Sequence, residues 1–249
     1  YYGKDQYIGP EAFDGKWGIF DEEFLQFFTS KLSSFQEPFF SSLFTISSHN
    51  PYTIPKKYIG KFPKGTTRIQ ESIAYTDYAL RRFFETAKKQ NWYKNTLFVI
   101  SADHTSSEGD RNTDKTNIGK FRIPILFFDP SNPDLIGIND KNFQQIDIMP
   151  SILDYLHIKT EIVSFGKSYK SKDDFAVYYL EGTYHYIDGD FYLAFGNNKT
   201  IGFYKWKEDS LLKNNLMKQN TFKVKEAEKF IKAYIQSFND RVINNQLSL

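Results

Sequence analysis

Between residues 175 and 206 four short apolar runs, "FAVYYL", "YHYI", "FYLAF" and "IGFYKW", follow one another with almost nothing between them. They are parted by Gly182, by Asp188-Gly189 and by Gly196-Asn197-Asn198. Turns this short bring the chain back beside itself, so successive runs are expected to pair as antiparallel hairpins. A long amphipathic helix follows, with Ala227, Phe230, Ile231, Tyr234, Phe238 and Val242 on one stripe.

Upstream the rhythm differs. A helix is expected from about Asp21 to Leu32, where Phe24, Phe27 and Phe28 share a face and Asp21 can cap. "EPFFSSLFTI" reads as a buried strand after Pro38, and "SSHNPYTIP" as a loop. Residues 67–90 form the clearest helix, with Ile69, Ile73, Leu80, Phe83, Phe84 and Ala87 at helical spacing. "TLFVISA" and "FRIPILFF" are short apolar strands, and "QQIDIMPSILDYLHI" holds a helix from about Asp147, with Pro150 in its first turn. Buried strands alternating with helices imply an α/β fold with a mostly parallel sheet. The change of pattern near residue 170 divides the expectation: α/β over 1–170, antiparallel strands and a terminal helix over 171–249.

Composition removes several classes of function. There is no cysteine, so disulfides, thiolate metal sites and cysteine nucleophiles are excluded. The charges nearly cancel, at +2, and no basic stretch forms a nucleic-acid footprint. The longest apolar runs are a few residues, far short of the ~20 needed to span a membrane. The opening "YYGKDQYIGPEAF" has no initiating methionine or signal peptide and reads as a stretch cut from a longer protein.

The four histidines are the place to look for chemistry. His49, in "TISSHNPY", and His104, in "SADHTS", each lie just past the C-terminal end of an expected strand, the edge where open α/β sheets bind ligands. Asp103 and His104 are consecutive, so their side chains converge on one ion only where strand alternation breaks down. Carboxylate oxygen and imidazole nitrogen suit Zn²⁺ or Mn²⁺; a polar turn with a surface histidine is the other reading, and the local sequence leaves both open. His49 is likewise either a loop residue beside Pro51 or a substrate contact. His157, at a helix end, and His185, in a hairpin, read as structural, as does Asp77 within its helix. There is no G-x-S-x-G elbow, no Walker A loop and no G-x-G-x-x-G.

Taken in order, "GKWGIFDEEF", "TISSHNPYTIP", "RIQESIAYTDYALRRFF", "NTLFVISADHT", "FRIPILFFDP", "QQIDIMPSILDYLHI" and "FGKSY" resemble the sulfatase-like enzymes of the alkaline phosphatase superfamily, in the lipoteichoic acid synthase and phosphoglycerol transferase branch. The C-terminal "EGTYHYIDGDFYLAFGNNKTIGFYKWKEDSLLKNNL" is similar to the same proteins. The resemblance implies an alkaline-phosphatase-like sandwich. It also implies a divalent metal (Mn²⁺, Mg²⁺ or Zn²⁺) that activates a threonine nucleophile toward a phosphoester. Asp103 and His104 match the family's late metal-ligand pair. His49 matches the histidine of "S-x-H-x-P", which touches the substrate phosphate or assists the leaving group.

The family's early acidic ligand and its threonine come well before the Trp-Gly motif, here Trp17-Gly18 with 16 residues ahead of it. The family histidine and arginine that hold the phosphoglycerol group are not found either. The resemblance therefore implies a C-terminal part of a catalytic domain, with about half the metal shell and no nucleophile, inactive alone. The implied parent is extracytoplasmic, anchored by membrane helices upstream, and acts on a phosphoglycerol lipid or another anionic ester; an upstream fragment could complete the site. Two alternatives stand beside it: a sulfatase, and a non-catalytic binding module with a degenerate site.

Overall fold

The computed structural model describes residues 1–248; they divide into two compact units, with the boundary between Gly137 and Ile138. By compactness, the segment from 138 to 170 groups with the C-terminal meander, whereas the change in strand pattern lies near 170.

In the first unit, α1 (Asp21–Leu32) and α2 (Arg68–Ala87) pack against each other. Their shared core is Leu25, Leu32, Ala79, Phe83 and Ala87, closed by Trp92 and Tyr93. The buried stripe of α2 runs through Ser72, Tyr75, Ala79, Phe83 and Ala87, steps of three and four that keep one face inward. Ile73, expected on that face, lies beside the stripe and is exposed. Residues 39–46 do not form the expected strand. Their alternation is real, because Phe39 and Leu43 pack on the helical core while Phe40 and Phe44 point outward. Period-two patterning selects an extended chain, but a strand also needs a ladder partner.

Strands β1 (Phe98–Ser101) and β2 (Ile125–Phe128) pair antiparallel, Phe98 opposite Phe128 and Ser101 opposite Ile125. This corrects the expected mostly parallel sheet: both sheets among the described residues are antiparallel. A parallel pair needs a crossover to carry the chain back along the sheet, usually a helix. The link between β1 and β2 holds only two single-turn helices, Asn112–Lys115 and Gly119–Phe121. The α/β class, the antiparallel C-terminal strands and the long terminal helix are as expected.

In the second unit, α3 (Ile148–Tyr155) starts beside Pro150 and ends in a left-handed residue, His157 at φ 55°, with Ile158 N donating to Leu153 O. That bond closes the last helical turn, so His157 is structural. A buried ion pair joins Asp147 to Lys167, Nζ to Oδ2 at 3.0 Å. Then β3 (Phe175–Leu180), β4 (Thr183–Asp188), β5 (Phe191–Gly196) and β6 (Lys199–Lys205) form a meander in sequence order. Two of its turns, Glu181-Gly182 and Asn197-Asn198, have both central residues at positive φ. That is the backbone twist tight hairpins require. One sheet face carries Tyr186, Leu193, Phe195 and Phe203 and is covered by Ala227 and Ile231 of α4 (Thr221–Ile243). His185 is buried on the opposite face, stacked between Tyr178 and Tyr192, with its Nδ1 2.6 Å from the Tyr192 hydroxyl. None of the described helices is long and apolar enough to cross a membrane.

Candidate functional site

Strand β1 ends at Ser101, and Asp103 and His104 sit in the irregular turn that follows. The loss of strand alternation brings the two side chains together. Asp103 Oδ1 accepts the His104 backbone N–H at 2.8 Å, and Asp103 Oδ2 lies 3.4 Å from His104 Nε2. His104 Nδ1 is 2.8 Å from the Thr105 carbonyl. A carbonyl can only accept, so Nδ1 carries the proton and Nε2 holds a lone pair when the ring is neutral. Both side chains are open to solvent, at 52% for Asp103 and 73% for His104.

Whether these residues suit a metal is a question of donor chemistry and spacing. An oxygen and a nitrogen 3.4 Å apart match the edge, about 3.3 Å, of a tetrahedron with bonds of about 2.0–2.1 Å. The pair therefore fits two corners of a divalent site. Among the described residues, no cluster of three or more His, Cys, Asp or Glu has metal-ligand geometry.

The His49 loop is held differently. His49 Nδ1 lies 2.9 Å from the Asn50 carbonyl, which again places the proton of the neutral ring on Nδ1 and the lone pair on Nε2. Trp17 Nε1 donates to the same carbonyl at 2.8 Å, and the Trp17 and His49 rings meet edge to face at 4.4 Å. Two turns of backbone hydrogen bonds, His49 N to Ile46 O and Tyr52 N to His49 O, shape the loop.

The two loops are connected through the start of α2. The Arg68 guanidinium sits 5.6 Å from the centre of the Tyr52 ring, pairs with the Glu108 carboxylate, and Arg68 N donates to Glu108 Oε2 at 3.1 Å. Thr66 Oγ1 bonds Asp110. The chain from His49 through Tyr52, Arg68 and Glu108 thus reaches the loop that carries Asp103 and His104. Sequence reading did not single out Arg68 or Glu108. Their signal is spatial, since they lie forty residues apart.

Nearby hydroxyls are engaged in holding loops. Ser47 Oγ accepts from Asp21 N, Thr105 Oγ1 donates to Lys120 O, and Ser106 Oγ accepts from Glu108 N. Asp77 is exposed and faces Arg81 at 3.8 Å along its own helix. Behind the His49 loop, Lys57 Nζ bridges Glu22 and Glu23 at 3.0 and 2.8 Å. Partial burial would lower the Lys57 pKa, but hydrogen bonds to Glu23 and Glu22 outweigh it and hold the pKa above the usual lysine value.

Comparison with known proteins bears on what this arrangement does. The sulfatase family model matches residues 1–158. The lipoteichoic acid synthase-like protein YvgJ of Bacillus subtilis (strain 168) is 29% identical over 203 residues, covering 69% of this chain and 32% of that protein. The lipoteichoic acid synthase of Staphylococcus aureus (strain USA300) is 27% identical over 205 residues, covering 74% and 32%. The chain thus spans about a third of the length of these relatives. A solved protein of the alkaline phosphatase superfamily from Vibrio parahaemolyticus superposes with a TM-score of 0.78 at 23% identity, over 99% of this chain and 60% of that one.

Proposed function

From the premise that this chain belongs to the sulfatase family, we propose that it is part of a metal-dependent enzyme that transfers a phosphoglycerol group, or otherwise cleaves a phosphoester. The observation that carries this reading is the Asp103–His104 corner, two donors 3.4 Å apart just past a strand end, with the imidazole tautomer set by a backbone carbonyl. The similarity to lipoteichoic acid synthases supports phosphoglycerol over sulfate as the transferred group. In this reading residues 1–170 belong to the catalytic domain and 171–249 to its antiparallel subdomain. The parent is extracytoplasmic and membrane-anchored.

Asp103 Oδ2 and His104 Nε2 would hold a divalent ion, Mn²⁺, Mg²⁺ or Zn²⁺. Such an ion supplies Lewis-acid polarisation of a phosphate oxygen and lowers the pKa of a bound hydroxyl. The protein's own residues do the rest. Asp103 brings its carboxylate, and the Thr105 carbonyl, by accepting Nδ1–H, leaves the lone pair of the neutral His104 ring on Nε2 beside that carboxylate. His49 presents Nε2 on a loop pinned by Trp17. When protonated at Nε2, it donates a hydrogen bond to the transferred phosphate and can give that proton to the leaving alcohol. In this reading the attacking hydroxyl belongs to a threonine, and none of the threonines described above is assigned that role.

The test is made with the full-length parent in detergent, given a phosphoglycerol lipid in one assay and an aryl sulfate in another. Metal-dependent release of diacylglycerol is expected, with the sulfate ester untouched. Turnover of the sulfate ester alone would make the protein a sulfatase, and turnover of neither a binding module. For the 249-residue chain, calorimetric titration with Mn²⁺ should give binding weaker than about micromolar, as two donors allow; sub-micromolar affinity contradicts a half-site.

A further inference from the structure

Asp21 is the first residue of α1, and its side chain makes no cap: the N-cap is Phe20. Its carboxylate is buried and turned away from its own helix. Oδ1 accepts the backbone N–H of Ile46 at 2.8 Å and of Ser47 at 3.1 Å. Oδ2 accepts the hydroxyl of Thr76, on α2, at 2.9 Å. The Asp21 N–H donates to Ser47 Oγ at 3.1 Å. Four hydrogen bonds therefore tie position 21 to residues 25 to 55 places away.

Burying a carboxylate costs several kcal/mol unless hydrogen bonds and favourable dipoles compensate. Here three donors and the positive end of α1 compensate it. What those bonds hold is the base of the His49 turn. The peptide of Ile46 is gripped from both sides: its N–H by Asp21, its carbonyl by the N–H of His49 at 2.9 Å. On the other side of the histidine, Trp17 Nε1 fixes the Asn50 carbonyl that orients the ring. Trp17 is itself set by Asp14, whose Oδ1 accepts the N–H groups of Lys16, Trp17 and Gly18 at 2.8, 2.7 and 3.0 Å. A Cβ at Gly18 would lie 3.0 Å from Ile46 Cδ1, the end of a flexible side chain, so the two segments are close neighbours here. "GKWGIFDEEF" is thus the mould in which "TISSHNPY" is cast.

We propose that Asp21 is a positioning residue for His49, fixing the turn that aims its Nε2. This rests on the reading in which His49 meets the substrate. The test has two arms. In the 249-residue chain, ¹⁵N-histidine spectra report each ring's tautomer. Asp21→Ala should turn His49 from the Nδ1–H form to a mixture of tautomers and leave the buried His185 unchanged, while Asp21→Asn, which keeps Oδ1, restores the wild-type signal. Thr76→Val, which removes a single donor, covers the case in which Asp21→Ala does not fold, and should shift the same His49 signals less.

In the full-length parent, Asp21→Ala should lower kcat by about 10- to 100-fold, the scale of a misplaced group, with KM within about threefold. The double variant Asp21→Ala/His49→Ala should be no slower than His49→Ala. Unchanged His49 signals in folded variants, or additive losses in the double variant, overturn the proposal. If His49→Ala is itself harmless while the His49 signals move, positioning stands and the functional reading of His49 fails.

Discussion

The two units treat their histidines in opposite ways. In the second, His185 is sealed in the sheet, stacked on two tyrosines, with burial pushing its pKa down to about 4. In the first, His49 and His104 stand exposed on loops, each with Nδ1 on a backbone carbonyl. The same contrast holds for carboxylates. Asp147 is buried against Lys167, whereas Asp103 is half exposed beside His104. Burial marks His185 and Asp147 in the second unit. The candidate site histidines are solvent-accessible, each with Nδ1 on a backbone carbonyl, and the buried Asp21 bonds the base of the His49 turn. A perturbed pKa alone would have pointed to His185 rather than to the two loop histidines.

Substitutions can break this contrast at either end. The largest effect should come from His104→Ala or Asp103→Asn in the full-length parent. Activity should fall by ~100-fold or more, with stability unchanged within ~0.5 kcal/mol because both side chains are exposed; paired kinetic and denaturation measurements check it. The mirror experiment is Lys167→Met. It strands the buried Asp147 carboxylate and should destabilise by about 3–5 kcal/mol, read as a lower urea midpoint. Loss of the ion pair without loss of stability would mean that the pair is not structural.

The third effect depends on pH. The folded pKa of His185, about 4, lies below the free value of 6.5, so the unfolded chain takes up the proton first. His185 therefore contributes stability in full above about pH 6.5. That stability is lost as pH falls toward 4, by up to roughly 3 kcal/mol. Comparing urea melts of wild type and His185→Gln from pH 7.5 to 4.5 isolates this slope from that of the carboxylates. The smallest effect is Asp77→Ala. Its exposed pairing with Arg81 at 3.8 Å should be worth no more than about 0.5 kcal/mol, with no change in activity.

Much of the architecture was legible before any coordinates. The meander was, because Glu181-Gly182 and Asn197-Asn198 name their turns locally. So was α2, whose stripe repeats over five turns, although Ile73, at helical spacing with it, lies at its edge and is exposed. The convergence of Asp103 and His104 was foreseeable as a strand-end effect. Residues 39–46 were misread because alternation reports which side is buried, not whether a neighbouring strand exists. Asp21 was misread as a cap because a carboxylate at a helix start has a ready local explanation; its actual partners are supplied by Ile46, Ser47 and Thr76.

The sequence by itself determined the elements that adjacent residues encode: tight turns, helix stripes, a histidine beside an aspartate, and the ordered motifs of a sulfatase-family chain. Only the tertiary structure decided that β1 meets β2 antiparallel, that Arg68 and Glu108 link the two loops, and that a buried aspartate holds the His49 turn. The physical reason is range. Turn and helix preferences act between residues a few positions apart, while a hydrogen bond across 25 or 55 residues exists only after packing has paid the entropy of bringing its partners together.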